Sequence, residues 1–328
     1  MTQIGRGRTG HIGHHARLLL AAAALVLAPL AMARGQESDE LIDADEFAAT
    51  GALPSVTFLG EGGFVYQGNA DIDGGGHFQV YRYDLGAVGR IDLAEHLHWG
   101  NSFFFGANDY DFDGGGFSRG RPWNTILNMR MGTKLIYDIN QQWGIAAGGV
   151  FIFSPETGAN WGDSITGGGL LEAQYRHSQT LFASLGVAII TQIEDEATAT
   201  PSVGVNWLPA EDWTVRVGSV PASGGAAAGG EVAYRPIDPL VLGFGIVYQQ
   251  RRFRLDSSRP ARNGVGEDNS MPVRVRLGWN ITQNISLNAL GGVAVLGKVR
   301  LEDQNGNRIR SDDYDPAAYV GARLLGSF

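Results

Sequence analysis

The residues of this chain best placed to do chemistry are cations. Arg82, Arg90, Arg130, Lys134, Arg176, Arg216, Arg235, Arg274, Arg276, Lys298, Arg300 and Arg323 fall one or two to a segment, each on the parity opposite to the apolar residues of its segment. Four acids share that parity: Asp84, Asp92, Glu172 and Glu231. Twelve positive groups against four negative ones, set around one wall, would line a basic passage and lower the barrier to anions. The competing arrangement pairs the cations with these acids and with loop carboxylates folded inward, among them Glu194, Asp195, Glu196, Asp303, Asp312, Asp313 and Asp315, which closes the space into a polar core. Cations spread in this way form no exposed basic stripe, so nucleic-acid binding has no support.

Two further patterns invite a chemical reading. Asp71-Ile-Asp-Gly-Gly-Gly76 recurs forty residues on as Asp111-Phe-Asp-Gly-Gly-Gly116. Alternate carboxylates before glycines can gather oxygens around calcium, but neither copy has the distal Glu of an EF-hand. Asp-Gly is also the commonest hairpin-turn signal, so ordinary turns are expected and no metal ligand is assigned. His96, His98 and His177 stand at short turns, while His77 lies near Asp71 and Asp73 at the other end of its segment. No serine in a catalytic setting accompanies it, so no catalytic residue and no cofactor are assigned. A hydrolase at the outer rim is the remaining enzymatic alternative.

The elements that must position these residues are strands. In Asn284 to Glu302, Ile285, Leu287, Ala289, Gly291, Val293, Val295, Gly297, Val299 and Leu301 share one parity, and Lys298, Arg300 and Glu302 end the other. Successive side chains of a strand point to opposite faces, so one face is wholly apolar. A strand of that length is far beyond the usual five or six residues, and its uncharged face suits lipid. Short turns beside Trp or Tyr alternate with long connections rich in Gly, Asp, Asn and Pro. The short ones are 93–96, 138–141, 176–179, 209–212, 236–239 and 281–284; the long ones are 71–76, 113–122, 154–164, 194–201, 219–229, 256–270 and 303–315. This pattern predicts an all-β fold, a transmembrane antiparallel up-and-down β-barrel of about 14 strands, with 12 or 16 open, and an aromatic belt at the short-turn side. Soluble sandwiches and propellers have shorter strands and no such belt.

Composition agrees. The 48 glycines are about twice the usual share of roughly 7%, and they suit curved sheet and turns. Zero cysteine in an exported chain means no disulfide framework, so a closed hydrogen-bonded sheet must supply the stability. Export is indicated by Arg6, Arg8 and Arg17 before the apolar run Leu18 to Leu30 and the small-x-small site Ala31-Met-Ala33. The run is too short to span a bilayer, which needs roughly 20 residues. Residues 1–33 are therefore expected to be a signal peptide cleaved near Ala33, 34–54 an acidic periplasmic leader or short plug, and 55–328 the barrel. Cleavage removes three of the 25 basic residues and none of the 34 acidic ones, so the formal net charge moves from -9 to -12.

The last segment alternates Ala318, Val320, Ala322, Leu324, Gly326 and Phe328. A terminal Phe resembles the signal by which barrel-assembly machinery recognises outer-membrane proteins, although Gly326 departs from the bulky residue expected there. A wider resemblance lies in Arg252-Phe-Arg-Leu-Asp256, Gly264-Val-Gly-Glu-Asp268, Met271-Pro-Val273, Val299-Arg-Leu-Glu-Asp303, Asp313-Tyr-Asp-Pro316, Trp161-Gly-Asp163 and Thr166-Gly-Gly-Gly169. These runs, covering most of the mature chain, look like an uncharacterised family of Gram-negative outer-membrane β-barrel proteins. The resemblance implies fold and location and brings no established activity. The expectation is a monomer among outer-membrane lipid and lipopolysaccharide, acting as a passive channel or substrate-specific pore for a small anionic permeant. A closed barrel with a structural or surface-interaction role is the alternative.

Overall fold

The structure, a computed structural model, describes residues 56–222 and 225–328; the expected signal peptide and the leader or plug lie outside the described residues. The strands are β1 (Val56–Asp71), β2 (His77–Ala94), β3 (Leu97–Asp113), β4 (Thr125–Asp138), β5 (Trp143–Phe153), β6 (Ile165–Ser178), β7 (Leu181–Gln192) and β8 (Asp195–Ala210). They continue with β9 (Trp213–Ala222), β10 (Gly225–Ile237), β11 (Leu240–Arg254), β12 (Val265–Asn280), β13 (Ile285–Glu302), β14 (Arg308–Tyr314) and β15 (Ala317–Ser327). Each of β1 to β13 pairs antiparallel with its sequence neighbour, and β15 pairs with both β13 and β1. That closes a 14-strand antiparallel barrel, with β14 an accessory strand on the upper part of β13.

The short turns fall where the alternation predicts them. Two of the expected long loops do not: β8 begins at Asp195, and β9 and β10 run to Ala222 and from Gly225, so 194–201 and 219–229 are mainly strand. β12 likewise begins at Val265 inside the expected loop 256–270, and β14 lies inside 303–315. Polar and glycine-rich composition hid these stretches, because backbone pairing continues past the apolar band.

The outer face carries exposed Phe64, Leu135, Leu171, Leu185, Phe244, Val275 and Val320, ringed near the short turns by exposed Trp99, Tyr137, Trp143, Trp207, Trp213 and Trp279. Trp143–Tyr175 and Trp213–Tyr234 pair across strands with ring centroids 4.6 and 4.7 Å apart. An apolar band flanked by aromatic residues is how a barrel wall meets lipid.

Toward the long loops the barrel narrows into a second tier. β5 to β10 drop out, and residues 154–157 take their place between β4 and β11, through Ile126 opposite Glu156 and Pro155 beside Arg254. The backbone N–H of Leu127 donates to Pro155 (2.9 Å), and that of Arg254 to Ser154 (2.9 Å). On the other side β14 meets β1, where Ile72 bridges Tyr314 and the N–H of Asp73 donates to Asp313 (3.0 Å). The upper ring is thus β1, β2, β3, β4, 154–157, β11, β12, β13 and β14. It encloses an apolar core that includes Phe78, Tyr110, Phe112, Trp123, Phe253, Leu255, Val299 and Leu301.

β13 enters this tier through a bulge. Its pairing with β12 shifts between Asn269 and Met271, opposite Leu296, which has φ 51° and is 75% exposed. One extra residue reverses side-chain parity. Below the bulge the apolar parity of β13 faces out; above it Val299 and Leu301 face in.

Candidate functional site

Most of the expected cations lie against carboxylates. Arg274 and Arg276 on β12 both reach Glu231 on β10 (2.6 and 3.0 Å), and Arg276 also donates to Asn288 (3.0 Å). They cross β11 over Gly243 and Gly245, where an added Cβ would stand 3.1 and 3.3 Å from the Arg276 and Arg274 Nε atoms. Glycine at these places lets the long side chains lie flat on the wall. Arg323 on β15 crosses Gly63 in the same way to meet Glu61 (3.2 Å) and Asp84 (3.0 Å).

Lys134 approaches Glu172 at 3.9 Å, and Arg216 stands opposite Glu231 in the sheet register. Near the short turns Arg90 bonds Asp92 (3.0 Å), and buried His98 sits between Asp92 (2.6 Å) and Asp138 (3.1 Å). Arg176 is exposed at the end of β6, and Arg235 lies 4.0 Å from the exposed Asp238. Arg82 stands at the junction of the tiers, where the fully buried Asp268 receives Arg82 (3.3 Å), Arg251 (3.5 Å), Tyr110 (2.7 Å) and Tyr314 (3.0 Å).

Lys298 and Arg300 require a correction. The bulge at Leu296 turns them away from the enclosed face of β13. Lys298 pairs with Asp313 (3.2 Å), and Arg300 pairs with Glu267 (3.5 Å) and Glu302 (3.6 Å). The expected inward acids Asp84, Asp92, Glu172 and Glu231 are joined by three that parity did not disclose: Glu61, Asp138 and Asp268. Glu61 stands in Gly60-Glu-Gly-Gly63, where neither parity is apolar, and Asp268 stands in a stretch read as loop.

The loops close over the upper tier through charge. Arg252 holds the Ile193 carbonyl at the β7–β8 tip (2.9 Å) together with Glu267 (3.1 Å) and Glu302 (2.6 Å). Arg254 holds Glu194 and the carbonyls of Asp163 (3.0 Å) and Asn263 (2.7 Å). Glu156 accepts from the backbone N–H groups of Asn124 (2.8 Å) and Asp256 (2.9 Å) and from Arg259 (2.6 Å). Burial pushes the Glu156 carboxyl up from its ordinary value, opposed by those three donors. The two Asp-x-Asp-Gly-Gly-Gly turns interlock: the Phe117 N–H donates to Gly75 (3.0 Å), and a Cβ at Gly116 would stand 1.8 Å from the Gly74 carbonyl. These glycines serve a close turn-to-turn contact.

At the shoulder between the tiers lies a cleft of about 460 Å3. It runs from Glu61 and Asp84 on the lower wall, past Arg130, to Gln192, Ile193 and Thr198 at the β7–β8 rim. β10 leaves β11 after Gln249, so the upper edge of β11 forms one margin. Arg130 lies over the Phe104 ring, 4.8 Å from its centroid, and among the described residues its guanidinium makes no hydrogen bond or ion pair. Asn128, two residues along the same face, accepts from Ser154 through Oδ1 (3.2 Å) and has a buried Nδ2 with no partner among the described residues.

No family model and no curated protein matches this sequence, so the family resemblance carried by the motifs has no support from either comparison. Solved structures do resemble the chain in architecture. A FadL homologue of Pseudomonas aeruginosa aligns over 83% of this chain and 90% of its own, at 9% identity and a TM-score of 0.49. The toluene transporter TodX of P. putida aligns over 83% and 89%, at 8% identity and TM-score 0.43. The KdgM porin aligns over 80% and 97%, at 11% identity and TM-score 0.27.

Proposed function

We propose that this protein is a Gram-negative outer-membrane channel whose passage leaves the barrel axis and runs through the shoulder cleft. The cleft is the observation that carries the reading, because the apolar core of the upper tier fills the axis above it. The exposed apolar band supports seating the lower tier in lipid, with lipopolysaccharide around the long-loop end. β15, ending near Phe328, is the strand offered to assembly machinery, and the closed sheet suits a monomer. The anion preference narrows from a ladder of twelve cations to the cleft, where Arg130 makes no ion pair among the described residues while most cations of the wall below it do.

Planar-bilayer recording from protein that shows heat-modifiable gel migration tests this reading. Discrete currents with a reversal potential displaced toward that of the anion are expected; folded protein that carries no current contradicts it. The closed-barrel alternative draws on the same apolar upper core and paired wall, and that silent outcome would favour it.

A further inference from the structure

We infer that the cleft is a binding station for a small organic monocarboxylate, with Arg130 and Asn128 as its head-group donors. The inference deepens the channel reading by naming its substrate class, although the binding itself needs no current to be observed.

Three features define the ligand. The head must be an anion that accepts hydrogen bonds, because Arg130 presents a planar fork of N–H donors and Asn128 a buried Nδ2, both unpartnered among the described residues. A carboxylate fits that fork with two parallel bonds. Its charge must be low, because Glu61 and Asp84 line the same cleft and Glu61 already acts electrostatically on Arg130. Arg323 draws both acids together beside the head-group position, and a pair of carboxyl groups there disfavours a phosphate dianion more than a monocarboxylate. The body must be compact and largely apolar, because Met129, Ile152, Ile190 and Tyr248 share the lining with the short side chains of four threonines. Arg251 and Arg252 at the rim are held by carboxylates. A mostly apolar pocket with a few convergent polar groups is the common form of a small-molecule site. Phe104 fixes the guanidinium from below, which lowers the ordering cost of binding.

The test uses the full mature protein folded in detergent micelles and 4-fluorobenzoate observed by 19F NMR, with neutral 4-fluorobenzamide as the control for micelle partition. Saturable line broadening is expected for the acid and not for the amide. Arg130→Gln should weaken it at least tenfold, Arg130→Lys should weaken it less, and Glu61→Gln should tighten it severalfold. Equal broadening by acid and amide, or unchanged binding by folded Arg130→Gln, overturns the inference. Should Arg130→Gln fail to fold, an unchanged affinity in Glu61→Gln overturns it instead. Binding without bilayer current removes the channel and leaves the station. Current without benzoate binding removes the station and leaves the channel.

Discussion

The two tiers of the barrel share staves but order their side chains in opposite ways. On β2, the inward residues Arg90 and Asp84 of the lower lumen and Arg82 at the junction give way to Val80 and Phe78 above, while the outward ones change from Leu85 and Tyr83 to Gln79 and His77. Surroundings explain the reversal. Where lipid wets the outside, apolar side chains gain nothing by turning inward, and the enclosed space takes the polar groups. Beyond the lipid both faces would meet water, and the hydrophobic effect drives the apolar residues into a shared core. β13 achieves the same reversal differently: its residue pattern never changes, and the bulge at Leu296 rotates one continuous apolar parity from lipid to core. The lower tier is consequently held by its hydrogen-bonded wall and ion pairs, the upper tier by packing.

Perturbations of each tier should separate accordingly. The largest effect is expected from deleting Leu296, which restores uniform parity and turns Lys298 and Arg300 into the apolar core; no heat-modifiable folded band should appear on a gel. Leu296→Gly, which suits the positive φ, should fold normally. Asp268→Ala leaves Arg82 and Arg251 buried without their shared acid at the junction and should cost about 3–5 kcal/mol in denaturant unfolding. Glu231→Gln should cost less and act on conduction instead, because freeing Arg274 and Arg276 in the lower lumen adds positive charge there. Its reversal potential should move further toward the anion side; a shift toward cations would break the contrast between a tunable lower wall and a packed upper core.

The smallest effect concerns pH. Glu156 has its carboxyl raised by burial above the ordinary 4.5, so its protonated form is the one the fold favours. Its stabilising contribution is full below the unfolded value and is lost as pH rises through the folded one. Unfolding of the wild type and of Glu156→Gln, followed from pH 4 to pH 7, should therefore show the variant gaining relative stability as pH rises.

Strand number, turn positions and the outward parity of the lower tier were legible in the sequence, because lipid imposes a period of two on residues such as Leu242, Phe244 and Ile246. The upper tier was not, for two physical reasons. Its staves run through Gly-, Asp- and Asn-rich stretches such as Gly264 to Ser270, whose pairing depends on distant partners across the ring. A single bulge also leaves alternation intact while exchanging its faces, so Val299 looked like lipid-facing wall and Arg300 like lumen. Within the cleft, Arg130 was identifiable by parity. Its lack of an ion pair was not, since Glu61 on the first strand is taken by Arg323 on the last.

The most direct test of the two-tier account uses the absence of native cysteine. Thr200→Cys places a thiol in the cleft, and Ala317→Cys places one in the packed upper core. A charged methanethiosulfonate reagent added during bilayer recording should reduce the current through Thr200→Cys and leave Ala317→Cys unmodified. Rapid modification and block at Ala317→Cys, with Thr200→Cys insensitive, would mean that the passage runs up the axis through the upper tier, and would contradict the account.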